Sequence, residues 1–259
     1  MGVLNVTPDS FSDGGRWLDP EAAVARGLEM VAEGADVVDV GGESTRPGAA
    51  PVEEAEELRR VVPVIGALAP HVRVSVDTRK AAVAERAVEA GATLVNDVSA
   101  SLDGVAASAG VGWVAMHMRG EPGTMQRSPE YGDVVGEVEA FLAARAERAR
   151  AAGVEEVWID PGIGFGKTAR HNLALLRRIG RLVATGYPVV VGTSRKSFLG
   201  LLSVEEGEEP AHVDDRLEAS LATAVWAMDQ GVGMVRVHDV RATVEAAVLV
   251  GPRPFPVSA

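Results

Sequence analysis

Short valine-rich runs recur along this chain, each bounded by Gly, Pro or Asp. They occupy residues 1–6 (MGVLNV), 35–40 (ADVVDV), 72–77 (VRVSVD), 93–97 (TLVND), 112–117 (GWVAMH), 156–160 (EVWID), 188–192 (PVVVG) and 233–238 (GMVRVH). Such runs predict strands, and their near-continuous apolar character suits a sheet covered on both faces. Helical spacing fills the gaps. In DPEAAVARGLEMVAEG, Asp19 is the expected N-cap and Pro20 the first helical position, with Val24, Leu28 and Val31 on one face. Residues 51–69, 79–91, 133–153, 168–180, 216–231 and 239–251 carry comparable patterns; in the third of these Val134, Val138, Phe141 and Leu142 share a face. About eight strand–helix units in 259 residues predict the α/β class, as a closed (β/α)8 TIM barrel forming a single domain over residues 1–259. An open doubly wound sheet shares the pattern and is the alternative. Residues 203–215 and the closing GPRPFPVSA read as irregular.

In a parallel barrel the chemistry lies at the C-terminal ends of the strands. Here those ends read Asn5, Asp39, Asp77, Asn96 with Asp97, His117, Asp160, Ser194 to Lys196, and Arg236 with His238. Helix capping accounts for one or two of them, Asp97 and Asp239 being the candidates. It does not account for a ring that mixes amides, carboxylates and cations. Asp77, Asp160 and Asn96 offer the acceptors and donors that a flat heterocycle with an amidine-like edge requires, much as carboxylate meets guanidinium. A buried Asp held by the neighbouring Arg79 is the competing reading. Lys196, Arg236 and His238 follow the seventh and eighth strands, where barrels frequently bind phosphate; a rim salt bridge is the competing reading for Arg236. The longest loops follow strands one, two and five and are candidate lids.

The stretch DPGIGFGKT, residues 160–168, looks like a nucleotide grip. It fails the phosphate-loop spacing, because Pro161 stands where the first glycine is required. Gly164, Gly166 and Ala169 satisfy the looser dinucleotide pattern, a weak signal in mid-chain. The glycines are instead expected to let the backbone approach a flat ligand, with Phe165 offering an aromatic face. A net charge of −12 disfavours nucleic acid as a partner. The lack of cysteine removes disulfides, thiolate zinc sites and thiol nucleophiles together. No leader pattern and no long apolar run appear, which predicts a soluble, cytoplasmic chain with no membrane partner.

These residues resemble one family closely: dihydropteroate synthase, of folate biosynthesis. The matching blocks are MGVLNVTPDSFSDGG, GADVVDVGGESTRPGA, SVDT, NDVSA, MHMRGEPGTMQ, DPGIGFGKTARHNLALL, GTSRKSFLG and RVHDV, in the family's order and spanning nearly the whole chain. The resemblance implies a transferase that condenses 6-hydroxymethyl-7,8-dihydropterin diphosphate with p-aminobenzoate, giving 7,8-dihydropteroate and diphosphate. It further implies Mg2+ with the diphosphate, a homodimer and competition by sulfonamides. It places the pterin on Asp77, Asn96, Met116, Asp160, Gly192 and Lys196. The diphosphate falls on Asn5, Arg46, Arg236 and His238, with Asn5 as the metal contact. The aminobenzoate falls on Thr45, Arg46, Pro47, Gly164, Phe165, Ser194 and Lys196. Asp77, Lys196 and Arg236 carry the catalytic roles. A methyltetrahydrofolate-corrinoid methyltransferase and a non-catalytic pterin-binding paralogue are the alternatives; STRPG, SRKSF and RVHD together argue against the first, and the complete ring of strand-end residues against the second.

Overall fold

The computed structural model describes residues 1–7, 20–44, 51–202, 204 and 209–250. Its strands are β1 (Gly2–Asn5), β2 (Val37–Gly41), β3 (Arg73–Asp77), β4 (Leu94–Asp97), β5 (Gly112–Met116), β6 (Val157–Asp160), β7 (Val190–Val191) and β8 (Met234–Val235). The helices are α1 (Pro20–Ala32), α2 (Glu54–Leu68), α3 (Ala81–Glu89), α4 (Asp103–Ala109), α5 (Val134–Ala151), α6 (Ala169–Arg177), α7 (Gly180–Val183), α8 (Ser197–Leu202), α9 (Leu217–Asp229) and α10 (Val240–Val250). The first six strands pair in chain order, all parallel, and β7 pairs with β8. Two single parallel bridges join these pieces, Ile159 to Val189 and Gly2 to Val237. At the second, Val3 N–H donates to Val237 O at 2.9 Å and Val237 N–H to Met1 O at 2.9 Å. The ring is therefore closed: the fold is the (β/α)8 barrel, and the open-sheet alternative falls away.

Strand parity decides what each side chain does. Leu4, Val38, Val40, Val74, Val76, Val95, Trp113, Ala115, Ile159 and Val191 point outward into one large core beneath the helices. Complete burial of a Val or Leu there is worth ~1.5–3 kcal/mol. The opposite parity points into the barrel. Met1, Val37, Leu94, Val114 and Val190, with Trp158 and Met234 against them, form a separate apolar cluster that plugs the floor. Two residues further along the same strands, the inward positions become Asp39, Asn96, Met116, Asp160, Gly192 and Arg236. Register aligns Asn5, Gly41, Asp77 and Asn96 side by side.

Two helices are capped by side chains that the sequence reading did not single out, and the expected cap Asp19 lies outside the described residues. Asp133 accepts from Val135 N–H ahead of α5, and Thr168 accepts from His171 N–H ahead of α6, while the His171 ring accepts Thr168 N–H in return. Asp97 holds the turn ahead of α4, accepting Ser101 and Leu102 N–H at 2.7 Å each and the Trp113 indole at 3.2 Å, but it does not cap the helix, whose N-cap Leu102 makes no side-chain cap bond. Asp239 is different: its carboxylate pairs with Arg195 at 3.0 and 2.5 Å.

Candidate active site

The mouth of the barrel gathers its charges around Arg236. The guanidinium donates from Nε to Asp39 Oδ2 at 2.6 Å and from Nη2 to Asp77 Oδ2 at 2.7 Å. Asn96 Nδ2 donates to the same Asp39 oxygen at 2.9 Å. The ion pairs of Arg236 are thus interior contacts on β2 and β3, not a rim bridge. Arg79 takes no part: it pairs with Glu43 at 3.0 Å and Glu121 at 3.6 Å. Asp39 itself was legible only as one more strand-end acid, because nothing in spacing distinguishes an anchor of Arg236 from a ligand contact.

On the far side, Asp160 accepts Gly162 N–H at 2.7 Å. Lys196 Nζ donates to Ile163 O and lies 4.8 Å from the centre of the Phe165 ring. Gly192 and Gly164 keep this corner open. A Cβ on Gly192 would lie 3.8 Å from Lys196 Nζ, and one on Gly164 would lie 3.2 Å from Lys196 Cδ. Met116 is buried and is the register partner of Asp160. Arg195 precedes Lys196 with φ of 59°, an uncommon backbone setting for a non-glycine residue. Its own N–H donates to Ser220 Oγ at 2.9 Å, and Asp239 holds its side chain. Ser194 Oγ accepts His238 N–H at 3.1 Å and lies 3.0 Å from His238 Nδ1. Asn5 ends β1 beside Gly41. Thr45, Arg46 and Pro47 lie outside the described residues.

The glycine-rich stretch is no phosphate grip. Lys167 is buried, its Nζ 2.9 Å from His117 Nδ1 and donating to His117 O, Gly162 O and Phe165 O at 3.2, 3.0 and 3.1 Å. An ammonium that gathers three carbonyls fixes the loop's shape. Gly162, Gly164 and Gly166 all adopt positive φ, and a Cβ on Gly162 would fall 1.8 Å from His117 O. Gln126 Nε2 donates to Gly164 O at 2.5 Å and Tyr131 hydroxyl to Gly166 O at 2.8 Å, so the β5–α5 connection braces the same loop. Sequence reading missed these tethers; GKT drew attention as a binding motif while its lysine turned inward.

Burial shapes the electrostatics. It drives the Asp77 carboxyl up to about 7; Arg236 opposes this, and Asp39, Glu57 and Asp97 add to it. Burial likewise raises Asp160 against the pull of Lys196 and the Gly162 N–H. Burial lowers Lys196 to about 8, partly offset by Asp160. For Arg236 burial works downward, yet Asp39 and Asp77 outweigh it and hold the guanidinium charged. Away from the pocket, burial takes Lys167 to about 7, and burial with Lys167 beside it takes His117 to about 3. The mouth therefore gathers Asp39 and Asp77 around the Arg236 cation on one side, and Asp160 with Lys196 beside the Phe165 ring on the other. That arrangement suits a planar, hydrogen-bonding ring that carries an anionic substituent.

Known proteins agree with this chemistry. The family described as pterin binding enzyme matches residues 1–238. A dihydropteroate synthase of Mycobacterium leprae is 50% identical over 260 residues, spanning 97% of this chain and 92% of that protein. Among solved structures, the Yersinia pestis dihydropteroate synthase with a sulfonamide drug complex superposes with a TM-score of 0.88 at 45% identity, over 96% of this chain and 91% of that one. The Xanthomonas albilineans dihydropteroate synthase with 4-aminobenzoic acid gives 0.87 at 46% identity, over 96% and 90%.

Proposed function

Since the chain belongs to the pterin-binding enzymes and, within them, to the dihydropteroate synthase family, we propose how its barrel mouth performs that family's reaction. The activity is a transferase step of folate biosynthesis: a pterin-methyl diphosphate and p-aminobenzoate become 7,8-dihydropteroate and diphosphate. In our reading residues 1–259 act as a single domain. Asp77, Asn96, Asp160 and Lys196 seat the ring between Met116 and Gly192. Arg236 and His238, with Asn5 and Arg46, take the diphosphate. Gly164, Phe165, Ser194 and Lys196, with Thr45, Arg46 and Pro47, take the aminobenzoate.

The chemistry follows from that seating. A C–O bond breaks and leaves its electron pair on diphosphate; a C–N bond forms from the neutral arylamine, which then loses its proton. Arg236 offsets charge on the departing group, a fixed dipole-and-charge arrangement that needs no reorganisation. Asp77 and Asp160 stabilise positive charge that develops on the ring methylene. No nucleophile on the protein is needed, which fits a chain without cysteine.

Among the described residues no three His, Cys, Asp or Glu side chains cluster as a cation site. The amide oxygen of Asn5 at the mouth nevertheless suits Mg2+, which binds through one or two protein oxygens together with phosphate and water. When bound, Mg2+ supplies neutralising charge to the diphosphate. The setting we propose is cytoplasmic; no helix among the described residues is long and apolar enough to cross a membrane. Exposed Leu201, Leu202 and Trp226 on α8 and α9 support a homodimer.

The single observation that carries this reading is Arg236 bonded at once to Asp39 and Asp77 within the mouth. Its test is diphosphate release by the purified chain given pterin diphosphate and Mg2+. Release that requires p-aminobenzoate is expected. Methyl transfer to a corrinoid, or pterin binding without turnover, would replace this reading.

A further inference from the structure

Asp39 is fully buried, yet among the described residues only one of its two oxygens is used. Oδ2 accepts from both Arg236 Nε and Asn96 Nδ2, whereas Oδ1 has no hydrogen-bond partner among them. Its register partner on β3, Ser75, is also fully buried, with a hydroxyl that finds no partner among the described residues. A buried charge with half its acceptors idle is a poor stabilising device. A residue serving packing alone would do better as an apolar side chain. The two groups that Asp39 does hold both belong to the mouth: the cation next to the departing anion, and the amide next to the ring.

We propose that Asp39 is a positioning residue for the reaction. It fixes the Arg236 guanidinium and the Asn96 amide on one shared oxygen, so that the ring seat and the anion seat keep a constant separation. This rests on the reaction proposed above and names a residue which that assignment does not include. Geometry supports it in a second way. Arg236 spans Asp39 on β2 and Asp77 on β3, so without the Asp39 contact the guanidinium swings wholly onto Asp77. The groups acting on Asp77 are Arg236 from β8, Asp39 from β2, Glu57 from α2 and Asp97 from β4, and Lys196 lies within its field. Of these, Asp39 pushes the Asp77 carboxyl up and Arg236 pulls it down. Loss of the Asp39 charge therefore moves Asp77 ionisation to lower pH by both routes.

The test is Asp39→Asn, which keeps shape and removes charge. The expected result is a kcat lower by roughly 100-fold, the scale for breaking a buried hydrogen-bonded charge pair. KM for p-aminobenzoate should stay within about 3-fold, the melting temperature should hold or rise, and the acid limb of kcat/KM should move to lower pH. A kcat within about 3-fold of the wild type, or an unmoved acid limb with lowered melting temperature, overturns the proposal. A second comparison does not depend on Asp39→Asn folding. Arg236→Met is set against the pair Arg236→Met with Asp39→Asn, in single-turnover diphosphate release. If Asp39 acts through Arg236, the added change costs less than about 3-fold; a full further loss in a folded double variant overturns it. Absence of aminobenzoate-dependent turnover in the wild type would instead sink the reaction itself.

Discussion

At the scale of single residues, the site depends on where buried charges are allowed to remain. Burial brings the Asp77 carboxyl up to about 7 and the Lys196 ammonium down to about 8. In the proposed reaction Asp77 acts ionised and Lys196 protonated, so kcat/KM should rise with pH through about 7 and fall again through about 8. Lys196→Arg, which cannot lose its proton in this range, should abolish the alkaline limb; a limb that persists in that variant would assign it elsewhere. Asp77→Asn should lower kcat by roughly 10²–10³, the scale of removing one preorganised electrostatic partner, with the fold retained by circular dichroism. Much of this was readable in advance. Asp77, Asn96, Asp160 and Arg236 stood at strand ends, where inward parity brings them together, and Lys196 reaches the same mouth from the β7–α8 connection. Their partners were not readable. Arg79 is two residues from Asp77, but the arginine that reaches it is 159 residues away. Only closure of the barrel sets β8 opposite β3.

At the scale of elements, the β6–α6 connection shows how a loop becomes a fixed part. Lys167 binds three carbonyls, and Gln126 and Tyr131 tie Gly164 and Gly166 from the neighbouring connection. Gly162 has no room for a side chain at φ of 63°. Gly162→Ala should cost more than ~3 kcal/mol in denaturant unfolding, because backbone as well as conformation must give. Gly110 has a similar φ of 66° at the end of α4, with nothing near its missing Cβ. Gly110→Ala should cost only about 1 kcal/mol, and equal losses at the two sites would contradict the steric account. The strands and most helices were visible as Val-rich runs and helical faces. The short α4, α7 and α8 were not, since seven, four and six residues are too few to show a periodicity. Strands β7 and β8 are only two residues each, and Arg236 N–H extends their pairing by donating to Val191 O at 2.9 Å.

At the scale of the whole molecule, the barrel closes through single bridges at β6–β7 and β8–β1. A chain of 27.0 kDa that pairs as proposed should run in light scattering at about twice that mass. A monomer at micromolar concentration would remove the dimer from the account. The inward stack, apolar at the floor and charged at the mouth, has a further consequence. Fold and chemistry draw on alternate letters of the same short words: Val38, Val40, Val74, Val76 and Val95 for one, Asp39, Asp77 and Asn96 for the other. Saturating libraries across β2 to β4, sorted once for soluble expression and once for growth without supplied folate, should give tolerance maps in antiphase along each strand. The enzyme's capacity to acquire new chemistry would then lie in every second codon, where changes leave the surrounding scaffold almost untouched.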